Sequence, residues 1–236
     1  VGMTGSLLDW EAAYREQGVF RGPPPWNIRE PQPEITALIQ AGKICSDVLD
    51  AGCGVAELSL ALAESGHTVV GVDISATAIA KARQAAKKRG LRTARFVQCD
   101  ITSLTGYDER FNTVIDSTLF HSLPVEARQG YIRSVYRAAA PGAWYFVLAF
   151  AAAAFPACVE LSGEAPAPLP HVVTEEELRD AVSQWWEVDE IRPAFIHANL
   201  AEVLSQVPDI SLDNYEVDEK KRMKMPAFLL TAHKSR

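Results

Sequence analysis

Cysteine is scarce in this chain: Cys45, Cys53, Cys99 and Cys158 are the only four in 236 residues, and none forms a C-x-x-C pair. That excludes a disulfide-stapled scaffold and a paired-cysteine zinc or redox site, and a reduced, cytoplasmic protein is expected. Histidine is equally sparse. His67, His121, His171, His197 and His233 share no ligand spacing on any helix, so no metal site is expected. Basic runs stop at Lys87-Lys88-Arg89 and Lys220-Lys221-Arg222, and the net charge is -7, which argues against a nucleic-acid partner. The apolar run Ala143 to Phe155 is thirteen residues and closes at Pro156, short of the ~20 needed to span a bilayer. Val1 to Trp10 carries neither a basic nor an apolar leader region, so neither a signal peptide nor a membrane partner is expected. No Gly-x-Ser-x-Gly elbow appears, which removes support for hydrolase chemistry.

What remains is an ordinary globular composition, 48% hydrophobic and 22% charged, in a chain long enough to bury one continuous core. One domain is expected: an N-terminal arm over 1–42, an α/β core over 43–150, and C-terminal strands and insertions over 151–236. In the arm, a helix-like stretch from Ser6 to Gln17 precedes Pro23-Pro24-Pro25-Trp26 and Pro31-Gln32-Pro33, whose rings impose extended geometry. Glu34 to Ala41 reads as a helix closed by Gly42. From Asp47 the pattern alternates. Strands are expected over Val48–Asp50, Thr68–Asp73, Ala94–Cys99, Phe111–Asp116 and Trp144–Phe150. Helices are expected over Val55–Glu64, Ala76–Arg89 (capped by Ser75, ended by Gly90) and Pro124–Ala139. Uniformly apolar strands alternating with helices mean a parallel sheet covered on both faces. A loop is expected over Pro156–Pro170, then a helix opened by the capping box Thr174 to Glu177. Two strands, Trp185–Arg192 and Pro226–Ala232, flank an irregular stretch from Ala194 to Met225.

The strongest functional signal is Asp50-Ala51-Gly52-Cys53-Gly54, set between a strand and a helix. Glycines there let the backbone approach a ligand at the carboxyl edge of the sheet. A dinucleotide fingerprint shares the first two glycines, but its third is replaced by Glu57, whose carboxylate would repel a pyrophosphate at the helix N-terminus. Asp50 can sit beside a cationic amino-acid moiety, Asp73 at the next strand end can accept ribose hydroxyls, and Asp100 at the third can hold an adenine amino group. An isolated acid at a strand end is usually a helix cap. Three in succession after a glycine turn argue for a nucleoside site.

Together with Phe111 to Asp116 and Ala140-Pro141-Gly142, these residues resemble the ordered motif set of class I S-adenosylmethionine-dependent methyltransferases, over roughly residues 47 to 150. The resemblance implies a Rossmann-like, seven-stranded, mostly parallel sheet whose last strand is antiparallel. It also implies S-adenosylmethionine as cofactor, with Ile74 and Ile101 flanking the acids, and S-adenosylhomocysteine as product. Asn112 departs from the pattern, where Asp is usual. The arm, with Trp10-Glu11-x-x-Tyr14, Pro24-Pro25-Trp26 and Pro31-Gln32-Pro33, is similar to that of thiopurine and halide/thiol methyltransferases, and Asp116 to Phe120 follows the same group. The whole chain looks nearest to mycobacterial relatives that methylate heterocyclic toxins such as hydroxyquinolones. That resemblance implies a lid in which Trp10, Tyr14 and Trp26 close over the cofactor.

A small, flat, apolar acceptor is the expected partner, lined by Phe155, Phe195, Ile196, Leu200 and Leu204. Trp26 and Phe120 can each offer an aromatic face to a sulfonium, or simply pack in the core. His121 can serve as a general base for a hydroxyl or NH acceptor, or bond a backbone carbonyl. No Asn/Asp-Pro-Pro-Tyr motif follows the fourth strand, which argues against methylation of DNA bases. Two alternatives stand beside this reading: a non-catalytic protein that binds the same cofactor, and an NAD-dependent dehydrogenase.

Overall fold

The computed structural model describes residues 9–17, 22–154, 170–201, 213 and 215–236. Seven strands form one sheet: β1 (Val48–Ala51), β2 (Val69–Asp73), β3 (Ala94–Gln98), β4 (Phe111–Ser117), β5 (Ala139–Phe150), β6 (Glu187–Ala198) and β7 (Met223–His233). Their order is β3-β2-β1-β4-β5-β7-β6. The first five run parallel, and β7 is antiparallel to both β5 and β6. The helices are α1 (Trp10–Tyr14), α2 (Pro33–Gln40), α3 (Glu57–Glu64), α4 (Ala76–Arg89), α5 (Val125–Ala138) and α6 (Glu175–Ser183).

Alternation along single strands feeds two cores. Leu49 and Ala51 of β1, with Tyr145, Val147 and Ala149 of β5, pack against Tyr131, Ile132 and Val135 of α5 and Leu178 and Val182 of α6. Val48, Phe146, Leu148 and Phe150 point the other way, toward Ile35 of α2 and Leu58 and Leu62 of α3. A side chain buried on both faces of a strand is what makes the strand read as uniformly apolar.

The structure shifts several boundaries. The helix expected from Val55 begins at Glu57, because Gly52, Gly54 and Ala56 all adopt positive φ (72°, 53° and 70°) and prolong the turn. β5 starts at Ala139 rather than Trp144. Pro141-Gly142 does not end it, because Gly142 and Lys234 continue the pairing with the chain after β7. Trp185 lies in a turn, and the strand expected there begins at Glu187 and runs to Ala198. Met223 to Met225 belong to β7, so the expected irregular stretch is shorter than 194–225 at both ends. The expected strand stops at Arg192, before Pro193, yet β6 runs through that proline, which an edge strand tolerates.

The capping box forms as expected at Thr174 and Glu177. Phe155, Cys158, Leu204, most of the Pro156–Pro170 loop and the first part of the Ser6–Gln17 helix lie outside the described residues. Among the described residues no helix is long and apolar enough to cross a membrane, and no group of three or more His, Cys, Asp or Glu side chains is placed to hold a metal.

Candidate functional site

The parallel strands β1, β2 and β4 deliver Asp50, Asp73 and Asp116 to the same edge of the sheet. Between them the glycine turn is tightly enclosed. A Cβ on Gly52 would meet the Leu119 side chain at 3.0 Å, and one on Gly54 would meet the Tyr14 hydroxyl at 2.5 Å. Asp73 ties the turn down: its Oδ2 accepts from the Gly54 N–H at 2.8 Å and its Oδ1 from Ser75 N–H at 2.9 Å. Burial raises the Asp73 pKa above the ordinary carboxylate range. Asp50 is 2% exposed and accepts a 2.6 Å hydrogen bond from the Ser59 hydroxyl of α3. Burial pushes its pKa up to about 7, with the Asp73 charge adding to the rise. Cys53 packs its sulfur beneath the turn against Gly71, where a Cβ would approach Sγ to 2.9 Å. Burial raises that thiol pKa well above its usual value.

Over this turn lies the arm. Trp10 and Trp26 meet edge to face with centroids 5.5 Å apart, and Tyr14 and Trp26 do so at 6.3 Å. The Trp26 indole N–H donates to the Tyr14 hydroxyl at 3.3 Å. Tyr14 is buried, and its phenol is held well above the usual tyrosine pKa by burial and the nearby Asp73. Ile74, the residue after Asp73, is 55% exposed, so an apolar surface stands open beside the acid.

At the end of β4 the polar groups are engaged within the protein. Asp116 is fully buried and its carboxylate is spent internally. Oδ1 accepts from the Leu119 and Phe120 N–H groups at 2.7 and 3.2 Å, and Oδ2 accepts from the Tyr131 hydroxyl at 2.8 Å. Burial again pushes the pKa up to about 7. Phe120 is buried with the Arg128 guanidinium 4.7 Å from its ring centroid, so that ring already carries a cation of the protein's own. His121 is 3% exposed, its ring tilted against Phe150 with centroids 4.3 Å apart, and its Nδ1 accepts the Phe150 N–H at 3.1 Å. A neutral imidazole accepting at Nδ1 carries its proton on Nε2, which leaves no lone pair to take a proton from an acceptor. Burial lowers the His121 pKa to about 3. In the structure, then, the His121 imidazole is engaged with the backbone of β5.

Asp100 caps a short 3-10 turn, accepting from the Thr102 N–H at 2.9 Å and hydroxyl at 2.7 Å. Ile101, in that turn, is buried in the core. Ile196 is wholly buried on the α2 side of the sheet, so it does not line a pocket. Phe195 faces the other way, with the Lys224 ammonium 4.5 Å from its ring centroid.

A methyltransferase domain model matches residues 48–142. The chain is 54% identical over 202 residues to 2-heptyl-1-hydroxyquinolin-4(1H)-one methyltransferase of Mycobacteroides abscessus, a match covering 84% of this chain and 85% of that protein. The chain belongs to the S-adenosylmethionine-dependent methyltransferases. Its methyl donor is S-adenosylmethionine. Among solved structures, one from work on the conversion of a disulfide bond into a thioacetal group during echinomycin biosynthesis aligns with a TM-score of 0.77 at 33% identity, over 96% of this chain and 91% of that one. A methyltransferase of Methanosarcina mazei shares the fold, with a TM-score of 0.63 and 22% identity over 84% of this chain and 97% of that one. Family membership removes the dehydrogenase alternative.

The site suits that donor. Two left-handed glycines bring backbone close to the edge, an acid closes β2, and the exposed Ile74 offers an apolar wall beside it. The methyltransferase also carries site residues that its sequence did not reveal. Glu11, on α1, accepts from the Ser75 hydroxyl at 2.6 Å and from the Thr77 hydroxyl and N–H at 2.6 and 3.2 Å, capping α4 from the arm. Those hydrogen bonds, Ser75 foremost, lower the Glu11 pKa to about 2. Lys81 of α4 donates to the Tyr14 carbonyl at 2.7 Å. Farther along the arm, Gln32 pairs with the exposed edge of β6. Its Oε1 accepts from the His197 N–H at 2.8 Å, and its Nε2 donates to the His197 carbonyl at 2.9 Å. The spacing Trp10-Glu11-x-x-Tyr14 placed the aromatics, but nothing local announces bonds to residues more than sixty positions away.

Proposed function

We propose that this methyltransferase transfers its methyl group to a small hydroxylated heteroaromatic acceptor of the 1-hydroxyquinolin-4-one type. The observation that carries this reading is the 54% identity, over most of both chains, to an enzyme named for that substrate. The acceptor lies where β4 and β5 end, beside Phe120, His121 and Phe150, under an arm that excludes water.

In this reading Asp73 holds the ribose of the donor, Ile74 packs on its adenine, and Asp100 stands by the adenine amino group with the oxygen its cap leaves unused. The Gly52-Cys53-Gly54 backbone lines the amino-acid end, with Asp50 beneath it as buried negative charge and Ile101 and Asp116 supporting the walls from behind. Trp10, Tyr14 and Trp26 cover the site. When bound, S-adenosylmethionine supplies an activated methyl group on a sulfonium sulfur. The chain's own residues contribute orientation and dehydration, which can lower the barrier by several kcal/mol. Aromatic side chains in the cover attract a sulfonium without competing as nucleophiles.

The test is a methyl-transfer assay with 2-heptyl-1-hydroxyquinolin-4(1H)-one beside a panel of phenols, thiols and N-heterocycles, with products identified by mass. Turnover of the hydroxyquinolone far above the rest supports the reading. Preferential turnover of an aliphatic thiol or an amine overturns it.

A further inference from the structure

Arg128 is a buried cation that no carboxylate contacts among the described residues. It sits on the inner side of the first turn of α5, 8% exposed. One guanidinium nitrogen, Nη2, donates 2.8 Å to the His171 carbonyl, and the guanidinium carbon stands 4.7 Å from the Phe120 centroid. The Nε–H is buried and finds no acceptor among the described residues. Among the described residues no Asp or Glu forms an ion pair with it. Arg222 shows what the same fold does with a structural arginine: at 7% exposure it holds Asp218 and Glu30, both at 2.6 Å. A buried guanidinium with no carboxylate in direct contact is costly, Glu177 acting only at longer range, and an anionic ligand can supply the missing contact.

It stands beside the place that the reading above gives to the acceptor. Phe120 and His121 follow β4, and the His171 N–H donates to the His121 carbonyl at 2.8 Å, which brings the chain before α6 alongside. Leu119, next to Phe120, lies against Gly52, so this corner adjoins the glycine turn directly.

We propose that Arg128 is the counter-charge for an acceptor that arrives as an oxyanion, its hydroxyl ionised before it binds. This rests on the hydroxyheterocycle reading above and specifies the ionisation state that the site selects. The acceptor's proton goes to solvent on ionisation. A lone pair of the anionic oxygen forms the new C–O bond while the electrons of the C–S bond pass to sulfur. Anion and sulfonium thus become a neutral methyl ether and a neutral thioether, and no proton has to be removed in the site. That agrees with the state of His121, whose Nδ1 is engaged and whose Nε2 carries the proton. Because the product is neutral, its ion pair with Arg128 is gone, which favours release. The side chains facing this guanidinium are Phe120 and His121 after β4 and Glu177 at the start of α6, with His171 contributing its backbone carbonyl. Burial lowers the Arg128 pKa, and Glu177 opposes that effect.

The experiment compares binding of 2-heptyl-1-hydroxyquinolin-4(1H)-one and of its O-methyl ether by calorimetry, without cofactor and with S-adenosylhomocysteine present. It uses the native protein, Arg128→Lys and Arg128→Gln, at pH values spanning the acceptor's own ionisation. The native protein is expected to bind the ionised hydroxyquinolone roughly tenfold or more tighter than the ether. That preference grows as the acceptor ionises, is largely kept in Arg128→Lys, and vanishes in Arg128→Gln. Steady-state rates should show a raised KM with kcat changed less, and S-adenosylhomocysteine affinity and melting temperature should stay near native. A structural arginine would lower both ligands' affinities alike. If Arg128→Gln keeps the preference, or if the native protein binds ether and anion equally, the inference is overturned; the second comparison needs no variant to fold. If the native protein binds neither the hydroxyquinolone nor any ionised phenol, the acceptor reading itself has failed.

Discussion

The Glu11 carboxylate accepts a 2.6 Å hydrogen bond from the Ser75 hydroxyl, the same hydroxyl that caps α4 by accepting from the Ala78 N–H. One serine thereby joins the arm to the helix that starts three residues after Asp73. With the Thr77 bonds, Glu11 places an anion at the N-terminus of α4, where the helix dipole and the unpaired N–H groups favour it.

Replacing Glu11 with Gln should loosen the arm, by about 1–2 kcal/mol of local stability, without unfolding the sheet. The Glu11 pKa is depressed in the fold to about 2, so its contribution is complete above the unfolded value near 4.5 and is lost as pH falls toward 2. Hydrogen exchange of residues 10–17 should rise in Glu11→Gln at pH 7, and in the native protein only on acidification. Unchanged protection would mean that the latch does not hold the arm.

Gly54→Ala should cost cofactor affinity twice over. Its φ of 53° strains an L-residue by ~1–2 kcal/mol. The new methyl would also meet the Tyr14 hydroxyl at 2.5 Å. Adding Tyr14→Phe removes that oxygen, so the double variant should recover part of the loss. If it recovers none, Tyr14 does not sit over the turn during binding.

Asp50→Asn should raise the melting temperature of the cofactor-free protein at pH 8 while weakening S-adenosylhomocysteine binding. The Asp50 pKa is raised by burial to about 7. The folded state therefore holds a proton that the unfolded chain has released, and stability falls as pH rises from about 4 through 7. An asparagine is neutral throughout and flattens that slope. A variant less stable than native at pH 8 would contradict this account.

His121→Asn should keep methyl transfer and its pH profile nearly unchanged, since an amide oxygen can accept the Phe150 N–H in place of Nδ1. His121→Phe strands that N–H and should cost about 1–3 kcal/mol of stability. Because the folded His121 pKa lies near 3, below the unfolded value of 6.5, its neutral burial contributes most above pH 6.5 and progressively less as pH falls toward 3. A rate collapse in His121→Asn with intact folding would restore it as a base.

Much of this protein is written locally. The alternation of apolar strands with capped helices, the Ser75 cap and Gly90 stop of α4, the Thr174–Glu177 capping box and the glycine turn after β1 each follow from neighbouring residues, and all appear in the structure. These features obey backbone sterics and hydrogen-bond valence within a few residues, so a linear reading reaches them. Pro193 and Pro141 misled that reading because their cost depends on which strand is an edge and what pairs beside it, and only the assembled sheet settles that. The same limit governs the site. The sequence could set Asp50, Asp73 and Asp116 at strand ends, but not distribute their lone pairs among Ser59, Gly54 and Tyr131. It could name His121 but not its bond to Phe150, and it gave no sign that Glu11 would reach α4 or that Arg128 would be buried with no carboxylate in contact among the described residues. Those outcomes come from groups far apart in the chain competing for one small volume, where burial and the last available hydrogen-bond partner decide each side chain's chemistry.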